Sequence, residues 1–131
     1  MDIRSKKVAE LTRYDETELS SKIDYFMFDI GMPRHLKGAK YLTDAIAKVY
    51  YSPRAIRNVV EGLYCLVAAD NGVSFVQVER NMRTAINNVW ENGDAEKIDS
   101  YLECSFHSLN AKPTTREFIA LVADKLRRGL I

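Results

Sequence analysis

The chain has 131 residues, of which 47% are hydrophobic and 28% charged, and its formal net charge is +1. That composition fits one globular domain, large enough to bury a core without metal or disulfide staples, and it contains no apolar run of the ~18 residues that would suggest a membrane span. The N-terminal residues 1–7 have no apolar stretch behind their charges, so they do not read as a signal peptide, and the cytoplasm is the expected compartment.

Residues 1–15 are mixed in charge and weakly periodic, and read as a flexible lead-in or linker remnant before a domain over 16–131. From Glu16 onward Leu19, Ile23, Phe26, Met27 and Ile30 form one apolar helical stripe. Gly31 ends that helix and Pro33 prevents its continuation. A second helix is expected over 38–51, with Leu42, Ala45, Ile46, Val49 and Tyr50 inward. Ser52-Pro53 reads as an N-cap with proline at the first helical position, opening a third helix with Ile56, Val59 and Val60 on one side. Gly62 divides it from a short fourth helix over 63–70. Asn71-Gly72 marks a turn, after which Ser74 caps a helix that runs to Glu91 and closes at Asn92-Gly93. Asp94 caps a shorter helix through about Glu103, and residues 104–113 form a loop. Thr114 with Glu117 is a capping box for a last helix buried through Phe118, Ile119, Leu121, Val122 and Leu126. No segment alternates with period two and no repeat is present. The expectation is a compact all-α domain of six or seven helices around one core.

The stretch 67–83 carries the functional signal. A helix-turn-helix needs a small residue where its two helices cross, and Ala68 supplies it. It needs a turn residue that accepts positive φ, and Gly72 follows four positions later. Val67, Val73, Val78 and Met82 can fill the contact between the two helices. The second helix then has an apolar face of Val78, Met82, Ala85, Ile86, Val89 and Trp90. Opposite it stand Gln77, Glu79, Arg80, Arg83, Thr84 and Asn87. Those side chains suit base edges: arginine grips guanine, glutamine and asparagine pair with adenine, and glutamate accepts from cytosine. A solvated amphipathic helix is the plainer reading of the same face.

Charge is unevenly spread. Over residues 30–57, Arg34, Lys37, Lys40, Lys48, Arg54 and Arg57 are opposed by Asp44 alone. Over 91–111, Lys97 is outnumbered by Glu91, Asp94, Glu96, Asp99 and Glu103, and the chain becomes basic again beyond residue 112. The basic segments can face phosphates, or simply be solvated helix faces. Cys65 and Cys104 are expected to be buried reduced thiols. His35 and His107 are isolated, so neither a metal site nor a cofactor is expected. Trp90 and the tyrosines Tyr25, Tyr41, Tyr50, Tyr51, Tyr64 and Tyr101 are expected to pack in the core.

Three blocks together resemble the C-terminal effector domain of the stage-zero sporulation protein A family of response regulators. The first is Ile30-Gly31-Met32-Pro33 with His35, Lys37 and Gly38. The second is Val78-Glu79-Arg80 with Arg83, Ala85, Ile86 and Trp90. The third is Ala111-Lys112-Pro113-Thr114 leading into Glu117-Phe118-Ile119-Ala120 and Val122-Ala123-Asp124-Lys125-Leu126. The resemblance implies a helix-turn-helix that enters the major groove of double-stranded DNA at a TGTCGAA-like element. It also implies head-to-tail homodimers on tandem elements. Glu79, Arg80 and Arg83 match the family's base-reading positions, whereas Gln77 stands where arginine is usual, Thr84 where histidine is frequent, and Asn81 replaces a small apolar residue. Residues 93–106 match the segment that meets the RNA polymerase sigma subunit, and their acidic side chains suit a basic partner. The last helix, with Ala123 and Asp124, matches a part implicated in dimerisation or activation. The lead-in is too short for the family's receiver domain, so an excised effector domain and a stand-alone relative both remain open.

The leading expectation is therefore a transcription regulator. The alternative is an interaction module that pairs with, or titrates, a full-length regulator without strong DNA binding of its own. No nucleophile–base pair, metal cluster or phosphate-cradling loop suggests an enzyme.

Overall fold

The structure, a computed structural model, describes residues 14–58, 62–107 and 109–131. These form α1 (Glu16–Asp29), α2 (Lys37–Tyr51), a 3₁₀ helix (Pro53–Asn58), α3 (Tyr64–Asn71), α4 (Phe75–Asn92), α5 (Ala95–Leu102) and α6 (Thr115–Arg127). No strand occurs among the described residues, and the all-α architecture is the expected one. No described helix is long and apolar enough to cross a membrane.

Among the long helices, α1, α4 and α6 begin at a side-chain cap, whereas α2 starts after Leu36 without one. The Asp15 carboxylate accepts from the Glu18 N–H at 2.8 Å, and Glu16 and Glu18 place negative charge at the positive end of α1. Thr114 and Glu117 close a reciprocal capping box at the start of α6. The expected lead-in lies outside the described residues up to residue 13. Tyr14 is already tied to the domain: its N–H donates to the Tyr50 hydroxyl at 2.6 Å, and the Tyr51 hydroxyl donates to its carbonyl at 3.2 Å.

The hydrophobic helix α2 sits in the middle of the bundle and packs against α1, α3, α4, α6 and the 3₁₀ turn. Leu42, Ala45 and Ile46 are fully buried there, and Phe26, Met82, Phe118 and Ile119 close the core around them.

Two close backbone approaches fix the arrangement. A Cβ on Gly38, in the first turn of α2, would lie 1.9 Å from the Asn81 carbonyl oxygen and 2.9 Å from the Ala85 Cβ, so only glycine lets α2 cross α4 this tightly. At the other end of α4, Gly93 faces the end of α1, where a Cβ would lie 2.5 Å from the Ile30 carbonyl oxygen. That same oxygen accepts from the Asp94 N–H at 3.0 Å. The helix α4 is thus held against α2 near its middle and against α1 at its C-terminal end.

Three expectations need correction. The third helix is a 3₁₀ turn with Ile56 only half-buried and the Ala55 N–H bonded back to Ser52. Its apolar residues Ala55 and Ile56 pack against the core but are only partly buried; Val59 and Val60, expected inward, lie outside the described residues. Cys65 is exposed and Cys104 half-buried. The inward set of α3 is Tyr64, Val67 and Ala68, which turns Cys65 to solvent. Tyr41, Tyr50 and Tyr64 are buried as expected, whereas Tyr25 and Tyr51 face outward.

Candidate nucleic-acid interface

The turn between α3 and α4 takes its shape from Gly72, which adopts φ +64° and ψ +34°, a left-handed conformation that glycine enters at little cost. The Val73 N–H reaches back to the Ala68 carbonyl at 3.0 Å and the Gly72 N–H to Ala69 at 3.3 Å, which satisfies the last carbonyls of α3 in a Schellman motif. Val67, Ala68, Val78 and Met82 are buried between the two helices and the core, and Tyr64 and Phe75 pack with ring centroids 6.1 Å apart. Burial pushes the Tyr64 phenol up to about 12. Asn71 ties the turn to α2: its side-chain N–H groups donate to Asp44 and to the Val67 carbonyl, and its oxygen accepts from Lys40. The expected helix-turn-helix is present in the expected place.

The six residues singled out on α4 do not play equivalent parts. Arg80 and Thr84 are exposed and have no hydrogen bond or ion pair among the described residues. Arg83 is exposed and pairs with Glu79 one turn earlier at 3.4 Å. An exposed pair of that kind is worth at most ~1 kcal/mol, so either member can leave it for a base edge at small cost. Gln77 is engaged differently. Its side-chain oxygen accepts from the Ser74 N–H at 3.1 Å while Ser74 Oγ accepts from the Gln77 N–H at 3.2 Å. This closes a capping box at the start of the helix. The Asn87 side-chain oxygen accepts from the Lys112 ammonium, which brings the loop before α6 beside the last turns of α4. Sequence reasoning also passed over Val76, exposed on the first turn of α4; the helical spacing that groups it with Arg80 and Arg83 was the available signal.

Of the six basic residues over 30–57, three are engaged internally. Arg34 pairs with Asp24, Lys40 with Asp44, and Lys48 with Asp70 at 2.6 Å. Lys37, Arg54 and Arg57 are exposed without an ion pair among the described residues. Lys37 directly precedes Gly38, where α2 touches α4.

The acidic segment is more committed than its sequence suggests. Asp94 caps α5 by accepting from the Lys97 N–H at 3.1 Å. Asp99 turns inward and accepts from the His107 N–H. Glu103, in a left-handed conformation at φ +49°, pairs at 3.3 Å with the buried Lys125. Glu96 is the acidic residue of α5 that stands exposed without such a partner among the described residues. The His107 ring stacks on Trp90 with centroids 3.9 Å apart, and its Nε2 lies 3.3 Å from the Trp90 carbonyl oxygen. In the last helix Ala123 is buried, so Asp124, paired with Arg128, is the exposed member of the two.

At the base of α5, Asp29 accepts from the Lys97 ammonium at 2.8 Å and the Tyr101 hydroxyl at 2.6 Å. These two bonds hold the Asp29 carboxyl below the usual carboxylate range, and the same carboxylate raises the Tyr101 phenol to about 12.

A compact bundle that holds one amphipathic helix rigidly and leaves two arginines on its outer face is suited to reading a groove. Comparison with known families agrees: the model described as "Sporulation initiation factor Spo0A C terminal" matches residues 23–126, from α1 to the end of α6.

Proposed function

The chain belongs to the Spo0A C-terminal family, the DNA-binding effector domains of sporulation regulators, and on that premise we propose that α4 reads a TGTCGAA-like element in the major groove. The observation that carries the reading is the outer face of α4, where Arg80 and Arg83 stand exposed on a helix locked from behind by Gly38. Arg80 grips one guanine in a bidentate manner. Arg83 and Glu79, released from each other, take the guanine and cytosine edges of a neighbouring step. Thr84 contacts an edge nearby. Gln77 acts first as a cap, so any contribution to base reading comes from its amide N–H groups; Asn87 likewise keeps its N–H groups for the DNA. Lys37, Lys112 and the basic residues of the 3₁₀ turn approach phosphates and position the helix. Two copies sit head to tail on tandem elements, and the surface around Glu96 meets the polymerase sigma subunit.

The test is fluorescence anisotropy with a duplex carrying two tandem TGTCGAA-like elements against a scrambled duplex, across a salt series. Element-dependent binding that survives physiological salt supports the reading. Arg80→Ala and Arg83→Ala then each lose about 5–150-fold in discrimination, the equivalent of one bidentate pair. Equal, weak binding to both duplexes that vanishes as salt rises is phosphate attraction alone, and refutes it. Co-purification with a full-length regulator in that case favours the interaction module instead.

A further inference from the structure

We propose that Val76 is a specificity-determining residue of α4, contacting the 5-methyl group of a thymine in the DNA site; this rests on the base-reading function proposed above. Val76 is the first exposed residue of the recognition helix and is 54% exposed. On a helix of 3.6 residues per turn, Val76, Arg80, Arg83 and Asn87 fall at i, i+4, i+7 and i+11, so they share one stripe. Val76 therefore lies on the line of the arginines, one turn nearer the helix N-terminus. The N-terminal residues of a recognition helix are the ones that meet base edges in this kind of fold.

Folding gives no reason for valine there. Its neighbour Phe75 is half-buried and packs with Tyr64, and Val78 is fully buried, whereas Val76 stands out from the core. Valine is also a weaker helix former than alanine. The polar side chain next to it, Gln77, has its oxygen held by the Ser74 N–H. The tip of the helix thus offers an apolar branched side chain to the groove. The apolar feature of a base pair in the major groove is the thymine methyl, the complement for such a side chain.

A uracil scan tests this without disturbing base pairing. Each thymine on both strands of the tandem-element duplex is replaced in turn by uracil, which removes only the methyl group, and anisotropy is read with the parent protein and with Val76→Ala. The parent is expected to lose about 3–5-fold at one position per element, the worth of one methyl-sized apolar contact. Val76→Ala, folded by circular dichroism, is expected to bind the thymine duplex about that much more weakly and to ignore uracil at that position. A flat scan with the parent overturns the proposal, as does a uracil-sensitive position whose sensitivity Val76→Ala retains. In both cases continued discrimination against the scrambled duplex leaves the base-reading function standing. Loss of that discrimination in the parent overturns both.

Discussion

Gly38→Ala tests the way α4, the proposed recognition helix, is aimed. The added methyl carbon would fall 1.9 Å from the Asn81 carbonyl oxygen, 2.5 Å from its carbonyl carbon and 2.9 Å from the Ala85 Cβ. Comfortable non-bonded contacts need ~3.5 Å, so α4 must retreat from α2 by more than ~1 Å. The obstacle is main chain, which cannot rotate aside as a side-chain tip can. Overpacking of this kind costs about 1–3 kcal/mol, a fall in Tm of roughly 3–15 °C for a domain of this size. Because α4 is also fastened at Gly93, the retreat tilts the helix and carries Arg80 and Arg83 away from the base edges proposed for them. Specific affinity should then fall by about 5–150-fold, the loss of one bidentate pair, while binding to scrambled DNA changes little. Differential scanning calorimetry and anisotropy read the two effects. Adding Ala85→Gly relieves the 2.9 Å contact and leaves the carbonyl clash, so it should restore only part of either. An unchanged Tm with unchanged specificity, or complete rescue by Ala85→Gly, would refute the reasoning.

Ser74→Ala removes the N-cap of α4 and should cost about 1 kcal/mol in chemical denaturation, with Gln77 freed from its partner. Gly72→Ala meets no steric obstacle, since nothing lies within 4 Å of the new Cβ; its cost is the left-handed backbone alone, about 1–2 kcal/mol, and DNA binding by the folded fraction should be unchanged. Asp29 has a lowered pKa, so its contribution to stability is present above the ordinary aspartate pKa of ~4 and is lost as pH falls through the folded value. Asp29→Asn should therefore lower Tm at neutral pH, with the difference from the parent closing in acid. The raised Tyr101 pKa of about 12 works on the other limb: its contribution is present below ~10 and is lost as pH rises through 12. Lys112→Ala should weaken binding to matched and scrambled duplexes alike and flatten the salt dependence by about one phosphate contact.

The order of the helices was legible because most of their boundaries carry local chemistry, although the turn at Pro53–Asn58 is 3₁₀ where a helix was expected. Gly31, Asn71-Gly72, Asp94 and the pair Thr114 and Glu117 each mark an end by the backbone groups they satisfy or the φ they permit, whereas the Asp15 cap was hidden in what reads as a lead-in. Ser74 is legible as a cap in the same way, but the reciprocal bond of Gln77 is not, because Gln77 also belongs to the face that suits bases and one side chain has two plausible partners. The crossing at Gly38 was not legible. A glycine in the first turn of a helix reads as a boundary until the carbonyl of Asn81 is known to press on it. The acidic segment misled for a related reason. Asp99 and Glu103 look like surface charge in sequence, and only tertiary folding brings His107 and Lys125 within reach. Tyr25 and Tyr51 face solvent because the stripes of α1 and α2 are already filled by Phe26, Val49 and Tyr50.

Trp90 is the sole tryptophan of the chain, and it belongs to α4 while its indole lies flat against an imidazole from a later segment. An indole's emission depends on what lies against its ring, and here that is a residue from a different segment. The protein therefore contains its own optical gauge at the place where two segments meet through the end of α4. Loss of the stack would change the indole's surroundings, and with them its emission. Because this gauge needs no label, it follows the unmodified protein in the same cuvette as its DNA.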